Sequence, residues 1–80
     1  MDDNAVLQRI GRLADEEQAL EESHVGSPLS QDDLARLKNI EVELDQCWDL
    51  LRQRRARRAA GLNPNDAAVR SEEVVEKYLQ

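Results

Sequence analysis

The stretch Ser30–Ala60, SQDDLARLKNIEVELDQCWDLLRQRRARRAA, holds neither glycine nor proline, and its periodicity decides the fold. Leu37, Ile40, Leu44, Cys47 and Leu51 recur at spacings of three, four, three and four, which places them on one face of an α-helix. Ser30 followed by Gln31, Asp32 and Asp33 has the form of a helix N-terminus, close to a capping box. Gly61 stops the run. The predicted helix covers about 31–60, roughly 45 Å at 1.5 Å per residue.

Upstream, Val25-Gly26-Ser27-Pro28-Leu29 is a break: Gly26 suits a left-handed C-cap, and Pro28 cannot continue a helix. Before it, Val6, Ile10, Leu13 and Leu20 form a second stripe, with Glu17 in the remaining seam position. Asp2, Asp3 or Asn4 can cap this first helix, predicted over about 4–24, and early acids suit its dipole. The two stripes are mutually consistent. Folding at Pro28 pairs Leu20 with Leu37, Glu17 with Ile40, Leu13 with Leu44, Ile10 with Cys47 and Val6 with Leu51, and every pair of numbers adds to 57. One constant sum is what an antiparallel hairpin in a single register requires. The expected fold is therefore all-α, a coiled-coil-like antiparallel two-helix hairpin forming one domain over 1–80.

The second helix outruns the first, so its last two turns, from Arg54 on, are expected to overhang. Downstream, Asn63-Pro64-Asn65-Asp66 reads as a turn or a cap opening a short helical piece. The segment 62–80 is expected to be an arm folding back on the hairpin. Val74, Val75, Tyr78 and Leu79 share a helical face, and Ser71 with Glu72 and Glu73 can start that helix.

Composition narrows the function. Charged residues make up 35% of the chain, and Trp48 and Tyr78 are the only aromatics. Such usage fits long helices. Cys47 is the only cysteine, so no intramolecular disulfide can form, and His24 and Cys47 lack the paired spacing of zinc ligands. No apolar run is long enough to span a membrane, and the acidic opening Met1-Asp2-Asp3 is unlike a signal peptide. A cytoplasmic protein is expected. No nucleophile with its base and no glycine-rich phosphate loop is present, and Glu21 to His24 is a lone Glu-x-x-His spacing without the second copy a di-iron bundle needs. The expectation is no enzyme and no cofactor.

Charge is uneven. Residues 1–50 hold thirteen acids and four bases, a net −9; residues 51–60 hold five arginines and no acid; residues 61–80 return −2, for an overall −6. The basic block is Arg52, Arg54, Arg55, Arg57 and Arg58. Three readings compete for it. In one, its cations complement the helix C-terminus and pair with nearby acids such as Asp2, Asp3, Asp66 and Glu72. In another, they meet an acidic surface on another copy or a different protein, where the guanidinium fork binds carboxylates bidentately. In the third, they bind the phosphates of RNA or DNA, a reading opposed by the acidic remainder and the missing interleaved aromatics.

Trp48 stands beside the seam. With Leu34, Leu37, Leu44 and Leu51 it widens the apolar face of the second helix, whose core face is expected to include Trp48. Either it packs over Gly11 or under the arm, or it anchors a homodimer, two hairpins making a four-helix bundle. Glu17 is read as an edge carboxylate pairing with Arg36 or Lys38, or as a polar seam residue that sets register. Cys47 is read as a small core residue.

The run Leu44-Asp45-Gln46-Cys47-Trp48-Asp49-Leu50-Leu51-Arg52-Gln53-Arg54-Arg55-Ala56-Arg57-Arg58 resembles the signature of a family of short uncharacterised proteins, found mainly in high-GC Gram-positive bacteria and catalogued as a domain of unknown function. The resemblance extends to Asp15-Glu16-Glu17, to Asn63-Pro64-Asn65-Asp66 with Val69-Arg70, and to Tyr78-Leu79-Gln80. Gly11 departs from it, standing where a larger residue is usual, as does Ser71, where a proline often follows the arginine. That second departure sets an extended arm against a helical one. The resemblance implies a bacterial cytoplasmic origin and no named activity. Together these readings lead to a non-enzymatic interaction or structural module, self-associating through Trp48 and using Arg52, Arg54, Arg55, Arg57 and Arg58 as its contact surface, with a nucleic-acid regulator as the alternative.

Overall fold

A computed structural model describes residues 2–23 and 26–79, with side chains up to residue 76. Two long helices, α1 (Asp3–Glu22) and α2 (Gln31–Ala59), pack against each other, and a 3-10 turn (Pro64–Asp66) and a short α3 (Glu72–Leu79) follow. The molecule measures 51 × 25 × 16 Å, its long dimension set by α2.

The helix ends form for identifiable reasons. Asp2 Oδ1 accepts a hydrogen bond from Ala5 N at 2.8 Å, and Ser30 Oγ accepts from Asp33 N at 3.1 Å. Each satisfies one of the donors a helix N-terminus leaves open. At the far end of α2, Gly61 takes φ +75, and the Leu62 N–H donates to Arg57 O at 2.8 Å while the Gly61 N–H donates to Arg58 O at 3.1 Å. That pair of bonds is a Schellman motif, which needs the left-handed conformation that glycine adopts without strain. Gly26 also has positive φ, at +83. The expected last turn of the first helix at His24 lies outside the described residues.

The hairpin is antiparallel, and Val6 and Leu51 meet in one cluster with Ile10 and Cys47, as the expected pairing has them. Of the ten seam positions, Val6, Leu13, Ile40 and Leu51 are buried, and Ile10, Glu17, Leu20, Leu37, Leu44 and Cys47 are half-buried. Flanking ion pairs fix the same direction. Asp3 meets Arg54 at 2.5 Å at one end, Arg9 meets Glu43 at 2.6 Å midway, and Glu16 holds Arg36 through two bonds of 2.7 and 2.6 Å towards the loop. The partner of Arg36 is thus Glu16, one residue from the expected Glu17. The Arg9–Glu43 and Glu16–Arg36 pairs are half-exposed, so solvent screens them, whereas Arg54 is buried.

The overhang is not bare. Beyond Gly61 the chain reverses and runs back along α2, so that the arm covers part of what α1 leaves uncovered. Ala67 packs against the cluster of Val6, Leu50 and Leu51. Gln53 Nε2 donates to Ala68 O at 2.9 Å, and Gln46 Nε2 donates to Arg70 O at 3.2 Å. After Arg70, Ser71 caps α3, its Oγ accepting from Val74 N at 3.4 Å, and Val75 is buried. The arm is therefore extended to Ser71 and helical from Glu72, combining the two alternatives the sequence left open. The side chains of Tyr78 and Leu79, expected on its apolar face, lie outside the described residues.

Candidate functional site

Helical geometry sorts the basic block into two populations. Arg54 faces inwards and is 5% exposed. Its Nε donates to Asp3 Oδ1 at 2.5 Å, and its Nη1 donates to Pro64 O at 3.1 Å and Asn65 Oδ1 at 3.0 Å. One guanidinium thus ties the N-terminus of α1, the end of α2 and the 3-10 turn together. Arg58, one turn on, donates to both carboxylate oxygens of Asp3, at 3.1 and 2.7 Å. The two cations, Arg58 first and Arg54 second, hold the Asp3 carboxyl down at about 2. Arg54, expected on the contact surface, is instead an internal strut, because the arm and Asp3 close over it. Arg58 is exposed but already paired.

Arg52, Arg55 and Arg57 remain. Among the described residues none of the three has an ion-pair or side-chain hydrogen-bond partner. Arg52 and Arg55 are exposed, and Arg57 is half-buried. At about 100° per residue, Arg52 and Arg55 point within about 40° of Trp48, whereas Arg57 points to the opposite side of α2.

Trp48 is 46% exposed, so it belongs to this outer face and not to the core face where the sequence placed it. The seam is filled by its neighbours, and the indole stands one step round the helix. It does not rest on Gly11 either: a Cβ added there would meet nothing within 4 Å. Leu34, 46% exposed, lies further along the same side of α2. The result is a strip with an exposed indole at its centre and two unpaired guanidiniums beyond it.

About 100° round α2 from Trp48 stands the residue that sequence reasoning missed. Asp49 is 0% exposed, yet it is charged. Arg70 grips it through two bonds, Nε to Oδ2 at 2.9 Å and Nη2 to Oδ1, and Gln53 Nε2 adds a third at 2.9 Å. The Arg70 guanidinium holds its carboxyl below the usual carboxylate range, with the Gln53 bond helping against the burial that opposes it. The available signal was a lone acid inside Trp48-Asp49-Leu50-Leu51, four residues before a glutamine, on the face pointing away from α1. This clamp ties the arm to α2.

A cleft of about 200 Å³ opens where α1, α2 and the arm meet, lined by Arg9, Glu43, Gln46, Cys47, Leu50 and Val69. Burial pushes the Cys47 thiol up from its ordinary value, so it stays protonated at neutral pH and is a weak nucleophile. No cluster of three or more histidine, cysteine or acidic side chains able to hold a metal ion exists among the described residues. Among those residues, too, no helix is long and apolar enough to cross a membrane.

Comparison with known proteins places the whole chain in context. A family model described as "Protein of unknown function (DUF2630)" matches residues 2–80. The uncharacterized protein Rv0898c of Mycobacterium tuberculosis is 46% identical over 77 residues, covering 95% of this chain and 88% of its own length. The uncharacterized protein Mb0922c of Mycobacterium bovis matches with the same figures. No solved structure matches.

Proposed function

Because the chain belongs to the DUF2630 family of proteins of unknown function, we propose its role from its own geometry: a non-enzymatic protein-interaction module of the cytoplasm that docks through the outer face of α2. The observation that carries this is the half-exposed indole of Trp48 beside the unpaired Arg52 and Arg55. An exposed tryptophan bordered by arginines is the composition of interface hot spots, where aromatic area supplies affinity and the guanidinium fork supplies orientation. The clamp formed by Asp49, Arg70, Arg54 and Asp3 serves this face indirectly, holding α2 straight and rigid behind it.

The nucleic-acid reading has less to rest on. Arg54 and Arg58 are committed to Asp3, and Arg57 points away from Arg52 and Arg55. That leaves two cations in line on a chain of net charge −6, far fewer than the row of phosphate contacts that carries such binding.

The test is a photo-crosslinking amino acid in place of Ala59, an exposed position on the Trp48 side of α2, in cells expressing the full chain. The expected result is a covalent adduct with a protein, lost when Trp48→Ala is added. An adduct with RNA or DNA alone, or protein adducts indifferent to Trp48→Ala, would overturn the reading.

A further inference from the structure

We propose that the occupant of this face is a second copy of the same chain, docked antiparallel across a two-fold axis that passes at Trp48. The inference rests on the interaction reading above and adds the identity and geometry of the partner. Its basis is the order of charges along the strip. Glu41 and Asp45 precede Trp48 by seven and three residues, and Arg52 and Arg55 follow it by four and seven. All four point within about 60° of the indole direction. Glu41, Arg52 and Arg55 are exposed, Asp45 is half-buried, and none has an ion-pair partner among the described residues.

In a two-fold interface the same patch faces itself, so residue i meets residue j and j meets i. For antiparallel helices, i and j then add to a constant. Trp48 against Trp48 gives 96, Arg55 against Glu41 gives 96, and Arg52 against Asp45 gives 97. Antiparallel docking thus brings the two indoles together at the centre and sets Arg52 and Arg55 opposite Asp45 and Glu41. Parallel docking would set arginine against arginine. A different protein as partner gives no reason for the strip to be self-complementary about its own tryptophan. The charged pairs along the strip span about 20 Å of helix, with the indoles at the middle, where hot spots concentrate.

The test is sedimentation equilibrium of the full-length protein over a concentration series, with the fluorescence of its single tryptophan as a second readout. We expect twice the 9.1 kDa chain mass, and a blue shift of Trp48 emission on association. Arg55→Glu or Glu41→Arg alone should weaken dimerisation by about tenfold or more, since like charges then face each other twice. The combined R55E/E41R exchange should bring affinity back to within about threefold of the original. Both positions are exposed, so circular dichroism should show each variant folded. A monomer throughout the series overturns the inference, as do single reversals without effect or a combined exchange no better than either one. A monomer whose Ala59 crosslinker still captures another protein through Trp48 overturns the self-docking and leaves the interaction reading standing. If no protein adduct forms at all, both fall.

Discussion

Trp48 and Asp49 are consecutive residues of one helix, and their environments are inverted. The large apolar side chain is 46% exposed, while the carboxylate beside it is 0% exposed. One step of about 100° separates a face closed by the arm from a face that none of the described residues covers. The closed side consists of groups whose partners are all internal: Asp49 with Arg70 and Gln53, and Arg54 with Asp3, Pro64 and Asn65. On the open side, Arg52 and Arg55 make no ion pair or side-chain hydrogen bond among the described residues, although the Arg52 charge reaches Asp49. Burying a charge is costly unless it is paired and hydrogen-bonded, so the closed side keeps its charges to hold the chain in one arrangement. The open side carries the same residue types, and the proposed docking draws on them. The lesson is that five arginines contiguous in sequence are not one functional unit.

The sharpest way to break this contrast is to exchange the two neighbours for alanine in turn. Asp49→Ala leaves Arg70 without its buried carboxylate and Gln53 without one of its bonds. It should cost about 1–3 kcal/mol of unfolding free energy in urea titrations, because Arg70 and Gln53 lose bonds to a buried carboxylate. Trp48→Ala should cost under about 1 kcal/mol in the monomer, since half the indole is already in water. Equal losses would show that the outer face belongs to the fold. The same comparison one turn further on is smaller. Arg54→Ala removes bonds to two segments, the start of α1 and the 3-10 turn, and should cost about 2 kcal/mol, while Arg55→Ala should stay within about 0.5 kcal/mol.

Acid should dismantle the closed side before the seam. Asp3 sits at about 2, below its ordinary 3.8, and Asp49 and Glu16 are also lowered. A carboxyl depressed in the folded state lends stability that is complete above its unfolded value and is lost as pH falls through its folded one. Stability should therefore be level near neutrality and decline from about pH 5 downwards, towards the folded values. Asp49→Asn should flatten part of that decline. A decline unchanged in that variant would mean that the clamp contributes nothing to it.

How much of this the sequence revealed follows from the range of the interactions. Helices α1 and α2 rest on periodicity and local caps, so the signals at Asp2, Ser30 and Gly61 were readable from neighbouring residues. The path of the arm depends on contacts between residues far apart in sequence, such as Arg70 with Asp49 and Arg54 with Pro64. No periodic pattern encodes those. Without the arm, α2 has no second buried side. Asp49 then reads as one more surface acid, Arg54 as one more surface cation, and Trp48 as core because the apolar stripe seemed wide. Once the arm occupies the far side of α2, the stripe is seen to stop short of Trp48. The indole is left at the margin, and the candidate site becomes the part of the helix that the arm does not reach.

The smallest expected effect lies on α1, at a position neither side uses. Gly11 is exposed within the helix, and a Cβ there would meet nothing within 4 Å. Its conformation is ordinary, since only Gly26 and Gly61 among the glycines have positive φ. Glycine in a helix interior costs about 0.5–1 kcal/mol relative to alanine, because the unfolded chain has more freedom to lose. Gly11→Ala should therefore raise the urea midpoint by an amount equivalent to about 0.5–1 kcal/mol, with no change in Trp48 fluorescence. The fluorescence gives the comparison its last check. If the indole packed on Gly11, an added methyl would displace it and its emission would move. An unchanged spectrum with a higher midpoint would place Trp48 free of α1, on the face that α2 keeps for a partner.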